Sequence, residues 1–151
     1  MAHVELSLSE SLDAADPVDG EPITNLDRWV SVAAVSEEPC LIIDSSAVIL
    51  AMSPACGELF GLGDPTESVG RFLLGGVLRM VDFTAARTAL TYAEADKIPP
   101  LLALSSGRLA RGLMRVQCRH EAERMRTVDA IATPIWEGAT TAGSLTFFSE
   151  I

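Results

Sequence analysis

A chain of 151 residues, 48% of them apolar, carries one domain's worth of material and can bury a substantial core. Its 21 acidic against 11 basic residues leave a net charge of −10. That balance argues against a nucleic-acid partner, because neutralising phosphates takes clustered Lys and Arg. No apolar run approaches the roughly 18 residues of a membrane span, and no basic-then-apolar leader opens the chain, so a cytoplasmic protein without a membrane partner is expected.

The charge is uneven. Glu5, Glu10, Asp13, Asp16, Asp19 and Glu21 fall in residues 1–24, with no Lys or Arg among them. Such a stretch cannot bury enough surface to order itself, so an acidic, flexible tail is expected there. Asn25 then suits the cap of a helix reaching about Val35, so residues 25–36 read as a flanking helix ahead of a domain over residues 37–151. Leu26, Trp29, Val30 and Ala33 recur on it at helical spacing. The stripe either covers the sheet of its own domain or forms a dimer seam, because Trp29 is costly to leave in water.

Residues 39–63 read as strand, turn, strand and short helix. Residues 40–43 are an apolar run ending at Asp44, and Asp44-Ser45-Ser46 favours a turn by bonding its own backbone. Residues 48–52 form a second run. Ser53 suits an N-cap with Pro54 at the first helical position, where its missing N–H costs nothing. Gly61 and Gly63 close that helix after Leu59 and Phe60. Residues 72–78 are compact and apolar, a turn of helix and a loop. Asp82 suits the cap of a helix over 83–95, with Ala86, Ala89, Leu90 and Ala93 facing inward. Lys97-Ile98-Pro99-Pro100 reads as a break and residues 101–104 as a short apolar segment.

Three strands are predicted to follow. Across residues 111–119, Arg111, Leu113, Arg115, Gln117 and Arg119 share one face, and Gly112, Met114, Val116 and Cys118 share the other. Residues 120–123 turn the chain into a strand over 125–135, ending near Pro134. Residues 136–141 form a loop, and 142–148 the last strand, with Leu145 and Phe147 on one face and Phe148 on the other.

This order of elements resembles a PAS domain, a family of small sensory and interaction modules. Ser53-Pro54-Ala55-Cys56-Gly57-Glu58-Leu59-Phe60-Gly61 fits the family's small alanine-bearing helix, with Ser53 where the family usually has Asn. Thr66-Glu67-Ser68-Val69-Gly70-Arg71 looks like its next short helix and Gly-Arg ending, and the match spans residues 37–148. The resemblance implies an α+β fold: a five-stranded antiparallel sheet with short helices packed on one face and an N-terminal flanking helix. It also implies a non-catalytic module of a bacterial-type signalling or transcription-regulatory protein, working as a homodimer or with a signalling partner.

In such a fold the middle helices can leave a cavity over the sheet. Candidate wall residues are Ile42, Leu50, Leu59, Phe60, Phe72, Leu78, Phe83, Leu90, Leu101, Met114, Val116 and Leu145. Such an aliphatic lining would suit a fatty acid or another apolar small molecule, the alternative being a filled core at native density. Flavin-binding photosensors of the family carry Asn-Cys directly after the Gly-Arg. Here Phe72-Leu73-Leu74 follows Gly70-Arg71, and Cys56 lies on an earlier helix. Haem-binding members commonly use a His on the long helix, and residues 83–95 contain none. Neither cofactor is expected.

No phosphate-binding Gly loop, HExxH or G-x-S-x-G occurs, and Asp44, Asp64 and Asp82 sit where turns and caps explain them, so no catalytic residue is assigned. Cys40, Cys56 and Cys118 lack metal-ligand spacing and read as buried thiols in a reduced setting. Arg111, Arg115, Arg119 and Arg126 are the one basic cluster: a solvated strand face balanced by Glu121, Glu123 and the tail, or a surface for an acidic partner. Against the sensor reading stand a small carrier for lipid or another apolar metabolite, and a dimerisation-only domain.

Overall fold

The computed structural model describes residues 23–118 and 124–151. Of the acidic tail only Ile23 and Thr24 fall within it, and Arg119, His120, Glu121 and Glu123 lie outside the described residues.

Local hydrogen bonding starts each early element. Thr24, one residue before the expected Asn25, caps helix α1 (Asn25–Ala34). Its Oγ1 accepts from the Asp27 N–H at 3.1 Å and the Asp27 carboxylate accepts back from the Thr24 N–H, a capping box. Strands β1 (Cys40–Asp44) and β2 (Ile49–Met52) form a hairpin whose turn is held by Asp44. Its Oδ1 accepts from the N–H groups of Ser46 at 2.8 Å and Val48 at 3.1 Å. Buried Ser53 caps α2 (Pro54–Leu59), accepting from the Cys56 N–H while donating to the Glu38 carbonyl. Asp64 caps a single 3-10 turn, Pro65–Glu67.

The middle of the chain departs from expectation. Residues 79–81 form a strand, β3 (Arg79–Val81), and the predicted helix over 83–95 does not form. Asp82 is not a helix cap: its Oδ1 accepts from the N–H groups of Thr84 and Thr88, closing a loop. Local side-chain bonds of this kind compete with helix formation. Arg87 in that loop has φ 53, outside helical geometry. Helix α3 (Tyr92–Ala95) starts only at the Thr91–Glu94 capping box. The two prolines read as a break instead open helix α4 (Pro99–Ser106), where their missing N–H groups are unneeded.

Strands β4 (Ala110–Gln117), β5 (Met125–Glu137) and β6 (Thr140–Glu150) complete one antiparallel sheet in the order β2-β1-β6-β5-β4-β3. The expected five strands are therefore six, because Arg79–Val81 adds to the free edge of β4. Strand β5 runs through Pro134. The β4 ladder ends at the Ala110–Ala132 pair, so at Pro134 the strand has a sheet neighbour on one side only.

The sheet is apolar on both faces. Leu41, Ile43, Met114, Val116, Val128, Ala130 and Phe148 face Phe60, Leu73 and the other helix and loop residues of the main core. Cys40, Ile42, Ala51, Ile135 and Leu145 face the opposite way, under Leu26, Trp29, Val30 and Ala33 of α1. Among the described residues, Thr146 is fully buried with its Oγ1 lacking any hydrogen-bond partner. Removing an unsatisfied buried hydroxyl relieves its desolvation, so Thr146→Val is expected to stabilise the fold by about 1 kcal/mol. A urea midpoint that rises at unchanged slope is the measurement that checks it.

Candidate functional site

An open pocket of about 770 Å³ lies beside β3, at the edge of the main core. One wall is the segment 71–78. Leu73 N–H donates to the Ala47 carbonyl, and Leu78 N–H returns to Leu73, so this loop is tied to the first hairpin and folded back on itself. The turn is tight enough that a Cβ at Gly76 would lie 2.5 Å from the Phe72 carbonyl oxygen. Ala89, Leu90, Thr91, Tyr92 and Ala95 supply another wall, and Met80, Gln117 and Cys118 join them from β3 and the end of β4. Val77, Leu78, Met80, Ala95 and Cys118 are buried and make an apolar floor.

Arg71 and Arg79 stand exposed on the lining, and among the described residues no Asp or Glu lines the pocket. The sequence marks Arg71 only as the end of a Gly-Arg pair and does not single out Arg79.

The residues proposed as cavity walls fall in three places. Leu59, Phe60, Leu78, Leu90, Leu101, Met114 and Val116 belong to or pack against the main core, and of these Leu78 and Leu90 also line the pocket. Ile42, Leu50 and Leu145 lie on the opposite face, packed with α1. Phe72 and Phe83 are 60% and 58% exposed. Between sheet and helices lies a cluster of buried apolar side chains. Phe60 and Phe148 meet edge to face there, with ring centroids 5.0 Å apart.

The stripe of α1 covers its own sheet. Leu26, Trp29, Val30 and Ala33 all pack on the second apolar cluster. The helix start is pinned to the end of β5: the Leu26 N–H donates to the Glu137 carboxylate at 2.8 Å, and Asn25 Nδ2 donates to the Trp136 carbonyl at 3.1 Å. A carboxylate there complements the positive end of the helix dipole.

The described arginines of the basic cluster have partners within the chain. Arg111 pairs with Asp129 at 2.6 Å, and Arg126 with Glu150. Arg115 donates to the carbonyls of Asp82 and Thr84, bracing the 82–88 loop. The Arg111 hydrogen bond holds the Asp129 carboxyl below its ordinary range, and the Thr84 hydroxyl does the same for Asp82. All three cysteines are free and buried; burial pushes the Cys40 and Cys56 thiols up and makes them poor nucleophiles. Among the described residues no cluster of His, Cys, Asp and Glu is arranged to hold a metal, and no helix is long and apolar enough to cross a membrane.

An antiparallel sheet with its short helices on one face and a flanking helix on the other is the PAS-like fold. No family model matches the chain and no curated protein matches it by sequence. Solved structures do. The PAS domain of an HTR-like protein from Haloarcula marismortui superposes with a TM-score of 0.54 at 14% identity, over 82% of this chain and 89% of that one. The PAS domain of nitrogen regulation protein NR(II) from Vibrio parahaemolyticus gives 0.55 at 17%, over 82% and 97%. The ligand- and DNA-bound complex of Vibrio cholerae VqmA gives 0.56 at 17%, over 82% of this chain and 50% of that longer one.

Proposed function

We propose that the chain is a non-catalytic, cytoplasmic PAS-type sensory module that takes a small, largely apolar molecule in the pocket beside β3. The observation that carries this reading is the pocket itself, an apolar hollow of ligand size on a fold whose central core is already packed. The resemblance to domains from signalling proteins, one of them crystallised with ligand and DNA, supports a regulatory role.

Signal output runs through the sheet to α1 and from there to a second copy or a signalling partner. Ligand occupancy biases this path only to the extent that it binds one arrangement of the pocket walls better than the other. Leu113, Ile131 and Phe147 remain partly exposed on the outer sheet face beyond α1 and offer the apolar contact for such a partner.

Native mass spectrometry of the purified chain, with extraction of any bound molecule, tests occupancy. Hydrogen exchange with and without that molecule tests the output. A sensor shows altered protection in residues 25–34 on ligand loss, whereas a carrier shows change confined to residues 71–95. A chain that never holds a small molecule in either experiment would sink the sensory reading.

A further inference from the structure

We propose that the pocket selects an aliphatic carboxylate, its chain on the floor and its head between Arg71 and Arg79; this rests on the ligand-binding reading above. The chain as a whole is acidic, 21 carboxylates to 11 basic side chains, yet the lining of this pocket reverses the balance. Among the described residues it holds two arginines and no Asp or Glu. Where other arginines of the sheet, Arg111 and Arg126, are matched by Asp129 and Glu150, Arg71 and Arg79 make no side-chain hydrogen bond or ion pair among the described residues.

Two fixed positions hold these cations. The Arg71 backbone is bonded on both sides, its N–H to the Ser68 carbonyl and its carbonyl to the Ile49 N–H. Arg79 opens β3 and is paired in register with Gln117. The same lining includes Leu74, Val77, Leu78 and Met80, which carry no polar side-chain group to satisfy. A guanidinium fork matches a carboxylate through two parallel N–H bonds, which ammonium groups do not reproduce. An apolar floor with cationic walls discriminates against a neutral alcohol, which gains the burial but not the charge-assisted bonds. It discriminates against a polar anion such as acetate, which gains the bonds but not the burial.

Decanoate, decanol and acetate, each titrated into the intact chain below micellar concentration and followed by calorimetry and amide NMR shifts, decide the matter. Decanoate is expected to bind at least about tenfold more tightly than decanol, with shifts centred on residues 71–80 and 89–95. Arg71→Gln combined with Arg79→Gln brings decanoate down to the decanol level and leaves decanol unchanged. Leu90→Trp, which fills the hollow, removes both. Equal binding of decanoate and decanol overturns the charge selection while leaving the pocket in place. Binding of neither overturns this inference together with the ligand-binding reading, and an unchanged decanoate affinity in the double arginine variant places the head elsewhere and overturns it alone.

Discussion

Phe60→Ala is expected to destabilise the fold by about 3–5 kcal/mol. Phe60 is completely buried and meets Phe148 edge to face at 5.0 Å and 86°, so truncation removes apolar area, an aromatic pair and the filling of the space between α2 and the sheet. Its neighbours Leu41, Ile43 and Val128 are held by the sheet ladder and cannot collapse inward to close the void. Chemical denaturation reads the change as a shift in midpoint. A loss below about 1 kcal/mol would mean that the centre is not packed as described, and the argument that the ligand space lies at the edge would fall with it.

Gly143→Ala is expected to cost about 3 kcal/mol and to release α1 from the sheet. Gly143 sits opposite Asp44 on one side and Ile135 on the other, inside the sheet. A Cβ there would lie 2.4 Å from the Ile43 carbonyl oxygen and 2.9 Å from Leu26 Cδ1. Leu26 can swing away, but the Ile43 carbonyl is backbone, so β1 and β6 must separate. The lower unfolded-state entropy of alanine returns less than about 1 kcal/mol of this. Hydrogen exchange of residues 25–34 should accelerate toward that of a frayed segment. Adding Leu26→Ala should restore little, because the obstructing atom is the carbonyl; full recovery in the double variant would place the conflict in the side chain and refute the account.

The same coupling bears on the dimer reading. Trp29 and Val30 pack on their own sheet, so replacing both by Asp strips α1 from the domain rather than separating two intact protomers.

The hairpin and its following helix were readable from the sequence because their determinants are local. Asp44 bonds the backbone two and four residues on, Ser53 caps three residues on, and Pro54 costs no bond at its position. The period-two alternation over Gly112, Met114, Val116 and Cys118 was readable too, since one face is buried and the other carries charge. Residues 82–106 were misread because competing local signals exist there. Asp82 is as good a start for an Asx-type loop as for a helix, and only β3, pairing with a strand more than thirty residues later, tips it toward the loop.

Some of the molecule was decided by sequence alone: the Ser53 cap, the Asp44 turn, the inward face of β4 and the excess of acid. Tertiary structure decided which face each strand of the first hairpin turns to which neighbour. Leu41 and Ile43 look to the main core while Cys40 and Ile42 look to α1, and alternation is silent when both faces are apolar. It also decided that Arg71 and Arg79 line one pocket. They are eight residues apart along a loop with no period, and only the fold brings both to the lining of a pocket shared with β3 and α3.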